Sequence, residues 1–152
     1  MTRERLPDTR ASVTHKAVIR WGEKRVKFYI TVGLYEDGRR KTEDGRMEDG
    51  RTEGRRPGEV FLTFDEAGSM LDGWADAWST AVSICLQHGE TLENLVAKFG
   101  YQRFDPQGMT ENEDMPFVSS VVDYVVRWME REFRTDRSDG SDGSRKEEHE
   151  GN

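Results

Sequence analysis

The sequence predicts an α+β domain: a small antiparallel sheet of about three strands covered by about three helices. Two runs of alternating apolar residues precede any helical pattern, and three amphipathic stretches with end signals follow them. The chain has 152 residues, about one domain's worth, and is polar, with 34% hydrophobic and 35% charged residues and a net charge of −7. Large apolar side chains are concentrated outside two segments. The core therefore comes from the remainder, near the size at which a lone domain is marginal.

SVTHKAVIRW (12–21) mixes β-branched and polar residues in a strand-like pattern. In VKFYITVGLY (26–35), Phe28, Ile30, Val32 and Leu34 fall on one face, and GEVFLTF (58–64) reads as the return strand. The sheet then needs cover on one face. GSMLDGWADAWSTAVSICLQHG (68–89) supplies a helix with Ser69 as N-cap, Asp72 in the first turn and Gly89 as the stop. Its expected apolar face is Leu71, Trp74, Trp78, Ala81, Val82 and Cys85. TLENLVAKFG (91–100) is a shorter helix capped by Thr91 and closed by Gly100. A third helix is expected from Asp114 as N-cap with Pro116 in its first turn, running to about Phe133. Its stripe of Phe117, Val121, Val122, Val125, Trp128 and Met129 is broad enough to face a sheet and a helix together.

The domain organisation follows: an N-terminal arm at 1–11, the α+β domain at 12–133 and a disordered acidic tail at 134–152, where Asp, Gly, Ser and Glu dominate. Within the domain a flexible insertion at about 38–57 repeats EDGR at Glu36–Arg39, Glu43–Arg46 and Glu48–Arg51. Loop closure entropy grows only logarithmically, so such an expansion between two strands costs little. Its charges nearly cancel, and the reading is a solvated insertion rather than a site.

Composition excludes several classes. No apolar run reaches the ~20 residues of a membrane span, and MTRERLPDTR lacks the apolar stretch of a secretion signal, so the expected location is cytoplasmic. The single cysteine, Cys85, makes neither an internal disulfide nor a zinc site of usual spacing. The acidic balance argues against nucleic acid as a partner.

The strings RLPD with THK, YITVGLYEDG, PGEVF, LQHG, RFDPQGMT and DYVVRWMEREF (Arg5 to Phe133) resemble, in order and spacing, the C-terminal (TSCPD-type) module of adenosylcobalamin-dependent (class II) ribonucleotide reductases and its small free-standing relatives. The resemblance implies a short loop after YEDG, so the repeat is an embellishment of this chain. The naming Thr-Ser-Cys-Pro-Asp string is absent, with Gly68, Ser69, Met70, Leu71 and Asp72 at the corresponding helix entry. Larger members place the radical chemistry, adenosylcobalamin and nucleotide sites on another domain and end in a cysteine-rich tail. None of that is in this sequence, and one cysteine cannot run a dithiol cycle. The expectation is a module that is non-catalytic alone and carries no cofactor. Its implied partners are a reductase catalytic chain or a nucleotide ligand; the alternative is a free-standing homodimeric binding module.

Candidate ligand or partner contacts are His15, Lys16, Arg103 and Arg127, with no catalytic or metal-ligating residues assigned. His15 and Lys16 suit an anion or a partner carboxylate, against a plain surface reading. Arg103 and Arg127 are flanked by aromatics; a guanidinium so placed clamps an oxyanion or fixes a loop to a helix. Asp123, four residues before Arg127, reads most simply as a helix-surface pair worth a few tenths of a kcal/mol. Asp72 and Asp76 share a helix face without a third ligand, and His88 sits at a helix end. A small phosphorylated substrate held by His15, Arg103 and Arg127 is a third, weaker reading.

Overall fold

The computed structural model describes residues 2–36, 55–65 and 70–133. The bulk of the EDGR repeat, Gly68, Ser69 and the tail lie outside the described residues, as do the expectations placed on them. The order is β1 (Ser12–Trp21), β2 (Lys24–Leu34), β3 (Pro57–Phe64), α1 (Met70–Gln87), α2 (Leu92–Phe99), β4 (Gly108–Thr110), β5 (Phe117–Val118) and α3 (Val121–Glu132). The sheet is antiparallel with strand order β3-β2-β1-β4-β5.

The alternation on β2 sets the core. Phe28, Ile30, Val32 and Leu34 are all buried on one face, joined by Ala17 and Ile19 from β1 and Val60, Leu62 and Phe64 from β3. Trp21 pairs with Lys24 across a two-residue turn at Gly22, whose φ of 62° suits glycine. α1 lies against β3, and α3 covers β1 and β2: Tyr124 meets Phe28 edge-on at 5.7 Å, and Trp128 stacks on His15 at 4.7 Å. The N-terminal arm joins the fold. Glu4 donates its N–H to the Gln87 carbonyl, Tyr35 donates its hydroxyl to the Glu4 carbonyl, and Arg10 pairs with Glu59.

Three expectations are corrected. The sheet has five strands rather than about three, because β4 and β5, of three and two residues, extend it past β1. Gly108 lets β4 approach the Arg20 carbonyl so closely that a Cβ would collide with it. The third helix begins not at Asp114 but at Ser120, whose side chain accepts from the Asp123 N–H. Phe117 is then a half-exposed strand residue rather than part of the helical stripe. On α1 the buried face is rotated: Ala75, Ser79, Val82, Ser83, Leu86 and Gln87 are inside, while Ala81 and Cys85 are exposed and Trp74 is 71% exposed.

That rotation has a physical reason. β3 is an edge strand, and α1 satisfies its outward backbone groups with polar side chains. Ser83 Oγ accepts from the Val60 N–H at 2.9 Å and lies 3.1 Å from the Val60 carbonyl, and Gln87 Nε2 donates to the Gly58 carbonyl at 2.9 Å. α2 matches its sequence signals. Thr91 caps it by accepting from the Asn94 N–H, and Gly100 donates back to the Val96 carbonyl.

Candidate functional site

Two faces of α3 hold two separate polar constellations. The first is a groove of about 700 Å³ between β1 and α3, lined by His15, Lys16 and Val18 on the strand, the 111–114 turn, and Tyr124, Trp128, Arg131 and Glu132 on the helix. β1 alternates, so Val13, His15, Ala17 and Ile19 share the core-facing side, and a histidine there needs a polar partner. Tyr124 provides it, with its hydroxyl 2.8 Å from His15 Nε2. Asn112 Nδ2 donates to the same hydroxyl at 3.2 Å, which leaves the Tyr124 O–H free to donate to His15 Nε2 when His15 is neutral with its proton on Nδ1.

The electrostatics agree with a neutral His15. Burial lowers the His15 pKa below its usual value, against an opposing pull from Glu132, and burial raises that of Tyr124. The rim is mixed in sign. Glu111 is held by Arg25 at 2.6 Å and Arg20 at 3.9 Å, with its carboxyl lowered first by the bond to Arg25, and Arg131 pairs with Asp114 at 3.6 Å. Four carboxylates (Glu111, Glu113, Asp114, Glu132) line the groove against two cations, Lys16 and Arg131. Two of the four are already held by cations, Glu111 by Arg25 and Arg20 and Asp114 by Arg131, so the negative excess of the lining is small.

The second constellation is centred on Asp123 at the start of α3. Its carboxylate is fully buried and accepts from the Tyr101 N–H at 2.6 Å, the Ser119 N–H at 2.8 Å, Arg127 Nε at 2.8 Å and Arg127 Nη2 at 2.9 Å. Arg127 also donates to the Phe117 carbonyl at 3.0 Å and lies over the Tyr101 ring at 4.5 Å. Ser120 donates to the Gln102 carbonyl at 2.6 Å, and Tyr101 takes a φ of 62°, unusual for a side chain larger than glycine. Burial works against the Arg127 charge, but the bonds to Asp123 outweigh it and the pKa rises. Asp123 and Arg127 are thus no solvated surface pair; they pin the 100–105 loop and β5 to the helix.

Of the four sequence candidates, the structure brings His15 and Lys16 to the groove. Arg127 is engaged in the Asp123 cluster and does not line the groove. Arg103 is exposed on the loop and makes no hydrogen bond or ion pair among the described residues. No group of three His, Cys, Asp or Glu among the described residues is placed to hold a metal ion, Asp72 and Asp76 included. No helix of the described residues is long and apolar enough to cross a membrane. Sequence reasoning missed Tyr124, Asn112 and Trp128. The available signal was a histidine at a core-facing strand position, which requires a polar neighbour.

A family model described as the TSCPD domain matches residues 3–133. The chain is 42% identical over 146 residues to a vitamin B12-dependent ribonucleotide reductase of Rhodopirellula baltica, covering 95% of this chain and 12% of that protein. It is 37% identical over 131 residues to one of Streptomyces avermitilis, covering 86% and 11%, and 32% identical over 126 residues to one of Bradyrhizobium diazoefficiens, covering 82% and 8%. It therefore spans about a tenth of the length of these relatives. No solved structure matches it. With its match running from the N-terminal arm through α3, the chain belongs to the TSCPD domain family.

Proposed function

We propose that this chain is a non-catalytic accessory domain of ribonucleotide reduction that binds a class II reductase chain. The observation that carries the reading is that 82–95% of the chain aligns with segments of vitamin B12-dependent ribonucleotide reductases from three distinct bacterial genera. A domain related to a small fraction of a large enzyme acts in the context of the rest. A polypeptide suits the β1–α3 groove better than a nucleotide does, because the groove runs along a strand edge that is unpaired from Ser12 to Lys16 among the described residues and its lining carries more carboxylates than cations. His15 and Lys16 are the partner contacts in this reading.

The test mixes the purified protein with a class II reductase chain truncated of its own module. A 1:1 complex in sedimentation velocity is expected; two independently sedimenting species at micromolar concentrations would remove the reading. A second reading, a free-standing homodimeric binding module, draws on α1: Met70 is 80% and Trp74 71% exposed, and exposed aromatic area of this kind is common at interfaces. Light scattering at the monomer mass would exclude it.

A further inference from the structure

We propose that the free edge of β1, roofed by α3, is a strand-addition site that takes an extended, net-basic segment of a partner polypeptide. The proposal deepens the accessory-domain reading by naming the site and the chemistry of the segment it receives.

Register fixes which backbone groups point outward. The Ala11 carbonyl accepts from the Leu34 N–H, and β1 pairs with β2 without a break from Ser12↔Gly33 to Trp21↔Lys24. Odd-numbered residues of β1 therefore exchange bonds with β2, and the N–H and C=O groups of Ser12, Thr14, Lys16 and Val18 face the other way. β4 meets that edge only at Ile19 and Arg20. From Ser12 to Lys16 no strand pairs with it among the described residues, while Val18 is buried next to the β4 pairing. The other edge of the sheet is treated differently, since Ser83 and Gln87 of α1 occupy the outward groups of Val60 and Gly58. The β3 edge is capped by side chains at Gly58 and Val60, and no such cap meets β1 from Ser12 to Lys16 among the described residues. An open row of alternating donors and acceptors matches one chemistry, another extended backbone.

The surroundings select which one. The groove runs along the open edge, with α3 above it at Trp128, Arg131 and Glu132 and the 111–114 turn closing the Val18 end. A second copy pairing edge to edge about a two-fold normal to the sheet places both α3 helices on the same face, each overhanging the shared edge. A single extended segment needs only the groove, whereas a second copy must also place its own α3 on the same face. The chain's own residues 134–152 are rich in Asp and Gly, which are depleted in strands. Glu111 is already held by Arg25 and Arg20 and Asp114 by Arg131, so the acidic excess of the lining is small; it favours Lys or Arg at alternate positions of the incoming segment.

The probe is a synthetic six-residue peptide alternating Val and Lys, titrated into isotope-labelled full-length protein. In the free protein, amide exchange at residues 14 and 16 is expected to be at least about tenfold faster than at residues 13, 15 and 17. Peptide should slow the even set and shift its resonances. N-methylation at alternate peptide positions should abolish binding in one register and spare it in the other, and a Val–Glu peptide should bind at least about tenfold more weakly. Lys16→Pro removes one outward N–H on an edge that tolerates proline, and should lose the peptide while keeping its melting transition. Even and odd amides equally protected in the free monomer, shifts confined to another face, or binding insensitive to N-methylation would each overturn the proposal. So would restored binding only after truncation at Phe133, which would make the tail the occupant. A reductase chain that binds Lys16→Pro as well as wild type refutes this site and leaves the accessory reading standing; peptide binding with no reductase complex does the reverse.

Discussion

Replacing Asp123 by alanine removes one carboxylate that four donors share. The Ser119 N–H lies in a buried turn and loses its acceptor, a loss of about 1–3 kcal/mol, while the Tyr101 N–H sits on an exposed residue that water can reach and counts for less. Arg127 loses both bonds to a fully buried partner, and breaking such a pair costs about 3–5 kcal/mol when the surviving charge is trapped. Here its side chain is 18% exposed and can swing partly into water, so the lower end applies. These losses overlap, and the net expected is about 3–4 kcal/mol, a large part of the ~5–15 kcal/mol typical of a domain. Urea unfolding followed by tryptophan fluorescence should show a midpoint lowered by roughly 2 M at an unchanged m-value of about 1.5 kcal/mol/M. Arg127→Ala should cost at least as much, since the carboxylate left behind is fully buried and the two backbone N–H groups stabilise its charge without neutralising it. A change within ~0.5 kcal/mol for Asp123→Ala would show that the pair behaves as an ordinary surface i,i+4 contact and refute the clamp.

Other outcomes follow from single contacts. Ser83→Ala should destabilise by about 1–3 kcal/mol, because it orphans the Val60 N–H at the β3 edge; Ser83→Thr, which keeps the hydroxyl, serves as the comparison in the same urea experiment. His15 is neutral in the fold with its pKa lowered by burial, so the unfolded chain binds the extra proton first as pH falls. Its contribution is complete above about pH 6.5 and is lost as pH drops through the folded value. His15→Gln should therefore flatten stability between pH 7 and 5, whereas an unaltered slope would separate the titration from this residue. Gly33→Ala should cost about 1–3 kcal/mol and release the Arg10–Glu59 pair, since its Cβ would collide with the Glu59 carboxylate. A melting temperature equal to wild type would count against that packing.

How much was legible in the sequence varies with the kind of signal. Strands of eight residues or more gave enough alternation to place Phe28, Ile30, Val32 and Leu34 in the core, and Thr91 and Gly100 bracketed α2. β4 and β5 are too short for any period to register and exist because the 108–118 turn folds back on β1 and itself. The Asp114–Pro116 start imitated a helix entry, but Ser120 with Asp123 three residues on is the cap used. On α1, hydrophobicity pointed to Trp74 and Cys85, whereas the buried face needed Ser83 and Gln87 to close a strand edge. Polar residues recruited by backbone groups are invisible to an apolar period. The same blindness hid the Asp123 cluster, whose partners at Tyr101 and Ser119 come together only in the fold. A family-like string marks His15 and Lys16 in the sequence, and only the fold brings their neighbours on α3 beside them.

The most direct measurement of the central claim is deoxyribonucleotide formation in three reactions supplied with adenosylcobalamin and a dithiol: this protein alone, a class II reductase chain without its own module alone, and the two together. The account expects no product from the protein alone and a turnover in the mixture that differs from that of the truncated reductase. Product from the isolated protein, or a mixture indistinguishable from the truncated reductase, would contradict it.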